Sequence, residues 1–203
     1  VYWPHHPQWH NFVRVFTELP MMTWLLNSII VTTVITFVQM LTSTMAGYAL
    51  AKYRFFGSKA LLNLVLSAQM FPFFLLIIPI FFLLRFMPFA GGNDLLGQGG
   101  SGLLNSYTAM ILPFAVTWYG IFLMRQCFMT VPNEIIDAAR IDGAGYLTVY
   151  LRIFLPLAKP ALATLGVFVF LFFWNTLLWP LIVTNSTDMR TIPFGLAMLL
   201  RKD

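Results

Sequence analysis

Long stretches of the chain contain no charged residue. Four of them are bounded by charged residues as follows: Glu18 to Lys52, Lys59 to Arg85, Asp94 to Arg125, and Lys159 to Asp188. Each is longer than the ~20 residues that an α-helix needs to cross the hydrocarbon core of a bilayer. Backbone groups in lipid must be hydrogen-bonded within the segment, which favours helices. We therefore predict transmembrane helices over residues 24–50, 60–84, 105–124 and 161–183.

Basic residues are unequally divided between the connecting segments. Residues 52–59 hold three bases and no acid, and residues 125–159 hold four bases, whereas residues 87–104 hold one acid and no base. Cytoplasmic loops of membrane proteins carry the excess of Lys and Arg. We therefore predict that residues 52–59 and 125–159 are cytoplasmic and that residues 86–104 lie outside. The N-terminal segment is then also outside, and its histidines, interrupted by prolines, are interpreted as a solvated loop rather than a metal site: His5, His6 and His10.

The composition agrees with a membrane protein. The chain is 59% hydrophobic and 9% charged, whereas a soluble domain carries roughly 25% charged residues. The net charge of +5 is spread over the ends of apolar stretches, so no nucleic-acid partner is expected. The single Cys127 excludes an internal disulfide framework. The segment Gly91–Gly102 is Gly-rich but lacks the Lys and Ser/Thr of a phosphate-binding loop, and we interpret it as a flexible linker.

The predicted spans contain no charged residue, although such residues are the usual mark of ion coupling and proton relay. Their amides and hydroxyls are interpreted as helix–helix contacts. Pro72, Pro79 and Pro113 predict kinks or local unwinding. Kinked, weakly polar helices suit a gated pathway for an uncharged solute, and the energy for pumping would have to come from a partner.

Residues 125–159 interrupt the apolar pattern with a predicted pair of short helices. Pro132 suits the first position of the first helix. Asp142 and Gly143 end it, because Gly permits the left-handed conformation of a C-cap. The second helix is predicted over residues 146–154 and stops at Leu155-Pro156.

The first of these helices has an acidic character. Glu134 and Asp137 fall in its first turns, where acids complement the helix dipole. Ile135, Ala138 and Ala139 share a face on which small residues let another surface approach closely. Interfacial helices carry Lys and Arg on the polar face instead. We therefore predict that this helix binds a basic groove on a partner protein.

The sequence of this segment resembles the EAA loop of the permeases of ABC importers. The matching residues are EIIDAARIDGA at 134–144 and IFLP at 153–156. Further matches extend over about residues 20–200: LNS at 26–28, YALA at 48–51, GIFLMRQ at 120–126, WN at 174–175, LWP at 178–180 and RTIP at 190–193. The pattern is similar to that of the carbohydrate-uptake group, which includes the maltose and glycerol-3-phosphate transporters.

The resemblance implies an all-α, polytopic membrane helix bundle of the type I ABC importer fold. Such permeases have six spans, of which four are predicted here, so residues 1–203 are expected to be a single permease domain truncated at both ends. It also implies a multi-pass protein of the bacterial cytoplasmic (inner) membrane. The expected partners are a cytoplasmic ABC ATPase dimer, a second, non-identical permease subunit, an extracytoplasmic solute-binding protein and membrane lipid.

By this resemblance the chain is a transport subunit for a sugar or related solute, not an enzyme. It binds no cofactor or metal itself, because ATP and Mg²⁺ bind to the partner ATPase. The resemblance assigns coupling to the ATPase to seven residues: Glu134, Asp137, Ala138, Ala139, Arg140, Asp142 and Gly143. The motif usually begins with Glu, where this chain has Asp137. Trp174, Asn175 and Trp179 are candidates for the translocation path, because aromatic faces and amides suit sugar rings, although helix packing explains them equally well.

Three alternatives remain at this point. The same ABC machinery could import a non-sugar solute, such as glycerol phosphate, a polyol or a peptide. A stand-alone channel or secondary carrier is a second alternative, which the charge-free spans and the cytoplasmic segment disfavour. An intramembrane enzyme is a third, and no catalytic residue is assigned because all histidines lie in the first ten residues.

Overall fold

The computed structural model describes residues 16–200, with side chains to residue 198, and this part of the chain is helical without a strand. Its helices, in chain order, are α1 (Met21–Lys52), α2 (Ser58–Ala68), α3 (Phe73–Arg85), α4 (Tyr107–Ile111), α5 (Trp118–Met129), α6 (Glu134–Ile141), α7 (Tyr146–Leu157), α8 (Lys159–Trp174), α9 (Leu178–Val183) and α10 (Ile192–Leu200). Short 3₁₀ turns lie at Leu112–Phe114 and Thr187–Met189. The predicted all-α class is confirmed. The three N-terminal histidines lie outside the described residues.

The longest helix, α1, buries polar residues and exposes apolar ones. Six of its polar side chains are less than 5% exposed: Asn27, Ser28, Thr32, Gln39, Ser43 and Thr44. Large apolar side chains point outward instead, with Phe37 66% and Met22 58% exposed. This distribution fits a helix surrounded by lipid, where polar groups must find partners within the protein.

By length and composition, α1 is the one described helix that could cross a membrane alone. Three bent pairs could each cross as one broken span, which gives up to four spans. The bends are 103° between α2 and α3, 45° between Tyr107–Phe114 and α5, and 73° between α7 and α8.

Three predicted spans are not single helices. The range 105–124 is divided between α4 with the 3₁₀ turn that follows it and α5. The range 60–84 is divided at residues 69–72, where Pro72 disfavours the helical conformation for the residue before it. The range 161–183 is divided between Trp174 and Leu178. Pro113 lies in a 3₁₀ turn, as expected for local unwinding, whereas Pro79 lies inside α3.

The third predicted span, 105–124, also ends at a different residue in the structure. Helix α5 continues to Met129, five residues past the predicted boundary at residue 124. The cytoplasmic segment predicted over residues 125–159 therefore begins inside a helix.

The described chain forms two compact units. The first comprises residues 16–31, 83–110 and 174–200. At its centre, the buried Asn27 amide donates to the carbonyls of Asp188 at 2.6 Å and Arg190 at 2.8 Å, and its Oδ1 accepts from the Tyr107 hydroxyl at 2.6 Å. One buried amide thereby holds α1, α4 and the turn before α10 together.

The second unit comprises residues 32–82 and 111–173. Here α1 and α5 approach closely at two glycines. A Cβ placed on Gly47 would lie 2.8 Å from Cβ of Met124, and one placed on Gly120 would overlap Oγ of Ser43. Gln39 Nε2 also donates to the carbonyl of Phe114 at 2.7 Å. Small residues and an amide thus make part of the contacts between helices in this unit.

The segment Gly91–Gly102 is folded, so its interpretation as a flexible linker is wrong. Asn93 is only 7% exposed, and its amide donates to the carbonyls of Arg85 at 2.9 Å and Met87 at 3.0 Å. Its Oδ1 accepts from the Gly100 amide at 3.0 Å. The glycines are needed because the two sides of the loop approach too closely for a Cβ at Gly91 or Gly100.

We expect Asn93→Ala to open this loop. Three hydrogen bonds of about 1 kcal/mol each are lost, which corresponds to roughly hundredfold faster cleavage at the loop in limited proteolysis. Gln98→Ala is the control, because the Gln98 side chain is exposed in the same loop. Equal cleavage rates of the two variants would contradict the role assigned to Asn93.

Candidate functional site

The candidate site is the helix pair α6–α7, which belongs to the second unit. Helix α6 begins at Glu134, two residues after the predicted Pro132. The carbonyl of Asn133 accepts from the amides of Ile136 at 2.9 Å and Asp137 at 3.1 Å. Lys52 at the end of α1 donates to the carbonyl of Val131 at 2.6 Å and to Oδ1 of Asn133 at 3.0 Å. The residues before α6 are thereby bound to α1 rather than forming its first turn.

The C-terminal end of α6 is as predicted. Gly143 has φ +81°, and its amide donates to the carbonyl of Arg140 at 3.0 Å. The next amide, of Ala144, donates to the carbonyl of Ala139 at 2.8 Å. These two bonds form a Schellman motif, which satisfies the last carbonyls of the helix and requires a left-handed residue at position 143. The turn fixes the direction in which the chain leaves α6.

The two alanines of the motif point in different directions. Ala139 is 9% exposed and is buried together with Ile136, which is 6% exposed. Ala138 is exposed, as is Ile135 at 37%. Successive residues of a helix point about 100° apart, so the expectation that both alanines share the docking face is wrong. Ala139 attaches α6 to its own protein, and Ala138 is available to a partner.

The outward surface of α6 combines apolar and charged groups. Ile141 is 87% exposed, next to the exposed Ala138. The other residues that the sequence assigns to coupling are all exposed around them: Glu134, Asp137, Arg140, Asp142 and Gly143. An apolar centre rimmed by carboxylates can bind an apolar groove that has basic residues at its edge.

Helix α7 differs from its prediction at the C-terminal end. The helix continues to Leu157 instead of stopping at Leu155-Pro156, because a π turn occupies Tyr150–Phe154. A widened turn removes the conflict between the Pro156 ring and the carbonyl of the preceding turn. Tyr150 and Phe154 are 7% and 0% exposed, so this turn is packed against the rest of the unit.

The residues predicted to line a translocation path lie in the first unit. Trp174 ends α8, and Asn175 is exposed in the break that follows. Trp179 is 1% exposed, and its Nε1 donates to the carbonyl of Ala109 at 3.0 Å. Burial favours helix packing for Trp179, whereas a path role stays a prediction for Trp174 and Asn175.

No metal site is apparent in residues 16–200, where no group of three or more His, Cys, Asp or Glu side chains could hold a metal ion. Cys127 is a free, half-buried thiol on α5.

The family is decided by a comparison over most of the chain. The family described as "Binding-protein-dependent transport system inner membrane component" matches residues 42–200, which include α6 and α7. The chain belongs to this family. The resemblance stated from the sequence motifs is thereby confirmed, and so is the prediction of an inner membrane protein.

Individual relatives of this family member are transport permeases. The arabinooligosaccharides transport system permease protein AraQ of Halalkalibacterium halodurans is 41% identical over 94% of this chain and 63% of its own length. The diacetylchitobiose uptake system permease protein NgcG of Streptomyces coelicolor is 31% identical over 96% of this chain and 60% of its own length. The chain therefore spans about three fifths of these curated relatives.

A solved structure shares the fold. It is the crystal structure of a bacterial ABC transporter involved in the import of the acidic polysaccharide alginate. One of its chains matches with a TM-score of 0.77 and 27% identity, over 94% of this chain and 61% of that chain. The predicted fold class, that of an ABC importer permease, is confirmed.

The Schellman turn at Gly143 is testable with a neighbouring glycine as control. Gly143→Ala places a Cβ on a left-handed residue, which costs roughly 1–2 kcal/mol and should raise hydrogen exchange of the Ala144 amide about tenfold. Gly145→Ala should leave that exchange unchanged, because Gly145 has φ −73° and an added Cβ meets nothing within 4 Å. The same protection in both variants would show that the turn does not depend on Gly143.

Proposed function

We propose that this chain forms part of the permease subunit of an ATP-driven importer, with α6 as the element that couples it to a cytoplasmic ATPase. The observation that carries the proposal is the division of α6 into an anchored and an outward surface. Ile136 and Ala139 bury one side, and Ala138 and Ile141 are exposed on the other. Family membership supports it, because the family is a component of binding-protein-dependent transport systems.

The partners follow from the same proposal. The ATPase dimer supplies ATP and Mg²⁺ binding, and this chain holds no cofactor. A solute-binding protein delivers the solute from outside, and a second, non-identical permease subunit completes the pathway. The chain itself works as a transport subunit, not as an enzyme.

The solute is proposed to be a sugar or oligosaccharide. The names of two relatives support this class, since they refer to arabinooligosaccharides and diacetylchitobiose. A further relative, the permease protein UgpE of Yersinia pestis, is 31% identical over 95% of this chain and is named for sn-glycerol-3-phosphate transport. A phosphorylated polyol is therefore the second candidate.

The proposed mechanism requires α6 to move as one body with its own protein. ATP binding draws the two ATPase subunits together and displaces α6 with the groove that holds it. The Schellman turn and the buried Ile136 and Ala139 keep α6 attached to the second unit. Displacement at the ATPase can then change the arrangement of the helices that form the pathway.

Substitutions on the outward face of α6 test the proposal. In a transporter assembled with its ATPase subunit, Ala138→Trp and Asp137→Lys should reduce ATPase co-purification and solute-stimulated hydrolysis at least tenfold, through steric overlap and reversed charge. Ala138→Ser and Asp137→Glu are the matched controls and should retain both, because small volume and negative charge are kept. Full coupling in Ala138→Trp would exclude docking through this face.

The candidate path residues Asn175 and Trp179 differ in burial, since Asn175 is exposed and Trp179 is buried. Asn175→Ala should raise the solute concentration for half-maximal uptake about tenfold. Trp179→Phe should lower the melting temperature by several degrees, because a buried hydrogen bond to the Ala109 carbonyl is lost. Unchanged uptake by Asn175→Ala would remove it from the proposed path.

A further inference from the structure

A row of tyrosine rings connects the end of α6 to the interior of the second unit. We call Tyr146, Tyr53 and Tyr48 the tyrosine row. The rings of Tyr146 and Tyr53 are 5.4 Å apart and edge to face, and so are those of Tyr53 and Tyr48. The hydroxyls of Tyr53 and Tyr48 are also hydrogen-bonded at 2.9 Å. The row therefore links the start of α7, the residue after α1, and α1 itself.

The outer end of the row is joined to α6. The guanidinium carbon of Arg140 lies 5.3 Å from the centre of the Tyr146 ring. Arg140 is in the last turn of α6, and its carbonyl accepts one of the two hydrogen bonds of the Schellman motif. A cation held over an aromatic face is attracted by the ring, so displacement of α6 acts directly on Tyr146.

The inner end of the row is buried among α1, α5 and α7. The Tyr48 ring, 6% exposed, lies 4.9 Å from the ring of Phe154 and 5.9 Å from that of Phe128, both of which are fully buried. Phe128 belongs to α5, and Phe154 to the π turn of α7. Motion of Tyr48 is therefore resisted by close-packed side chains on two other helices.

An open cavity lies along the row. Its volume is about 470 Å³, and six residues line it: Met45, Tyr48, Tyr53, Tyr146, Leu147 and Tyr150. Each of the three rings lines this cavity, so the row is not enclosed on that side by side chains of this unit. At the same time, Tyr146 is 67% exposed, so burial alone does not fix its position.

We infer that Tyr146, Tyr53 and Tyr48 are positioning residues that transmit displacement of α6 to α1 and α5. The inference rests on the proposed function, since it assumes that an ATPase moves α6. It adds the route by which that movement enters the membrane helices. Edge-to-face rings in series suit this role because their preferred geometry links the position of each ring to that of the next.

The experiment uses Cys127 as a reporter in the assembled transporter. Cys127 is the one cysteine of this chain and directly precedes Phe128, where the row ends. Its labelling rate by a maleimide, resolved by peptide mass spectrometry, is measured with and without ATP. In the native protein ATP should change this rate at least threefold. Tyr146→Ala should abolish the change and reduce solute-stimulated hydrolysis at least threefold, while the ATPase subunit still co-purifies.

Two controls separate transmission from simple packing. Leu147→Ala removes an apolar side chain that lines the same cavity and is 68% exposed, nearly the same as Tyr146, but it removes no ring contact. It should behave as the native protein does. Tyr146→Phe keeps the ring and should retain the response. Where Tyr146→Ala lowers the melting temperature, Tyr146→Leu replaces the lost volume without an aromatic ring and should show the same loss of response.

The possible failures are distinguishable. A normal ATP response in Tyr146→Ala and Tyr146→Leu overturns the inference and leaves the proposed function intact. An equal loss in Leu147→Ala also overturns it, because any truncation at the cavity would then have the effect. If the native chain assembles with no ATPase subunit, the proposed function fails and the inference fails with it.

Discussion

The absence of a solvent that competes for hydrogen bonds is the constraint on which this structure depends. Lipid tails are as apolar as the residues that face them, so association of the helices depends on close packing and hydrogen bonds rather than on the exclusion of water. Polar groups and small residues therefore contribute to the contacts between helices. Asn27 in the first unit and Gln39 in the second bind backbone carbonyls of distant segments, and Gly47 and Gly120 let α1 approach α5. A larger apolar residue at any of these positions would remove the hydrogen bond or the close approach. The apolar contacts that it made would only replace equivalent contacts with lipid.

The same constraint explains where the helices break. A carbonyl freed by a bend must find a donor inside the protein, and at the break before α5 the donors are side chains of α1. The Gln39 amide donates to the carbonyl of Phe114 in the 3₁₀ turn that contains Pro113. The Thr42 hydroxyl donates to the carbonyl of Ala115 at 2.9 Å. The bend and its polar partners on α1 therefore have to occur together in the sequence.

These relations also define what the sequence could predict. The spacing of charged residues located α1 to within three residues at each end, because the predicted span 24–50 contains no proline that would interrupt the helix. It could not give the 103° bend between α2 and α3, since proline marks a weak point while tertiary contacts set the angle. The glycine-rich composition of residues 91–102 is typical of a linker, whereas the burial of Asn93 in the structure shows that these residues form a folded loop. Asn93 and Asp94 between glycines were the available signal, since such side chains bind nearby backbone.

For the candidate site, the local sequence predicts where α6 ends but not which side of the helix faces outward. Gly143 predicts a C-cap from its own conformational freedom, and the structure has it. Which alanine faces outward depends on the attachment of Ile136, a contact that no local pattern encodes.

An exposed helix can transmit force only if its other side is fixed to what it moves. For α6 the buried residues are Ile136 and Ala139, and the Lys52 ammonium group binds the segment before the helix to α1. A helix of eight residues held by these contacts alone would pivot on its own protein when a partner moved it. The Schellman turn prevents this at one end by fixing the path into α7, and the rings that follow Arg140 add a second connection of different chemistry. In the proposed coupling, two attachments at separate points convert a pivot into a displacement, and the aromatic contacts beneath α6 supply the second attachment.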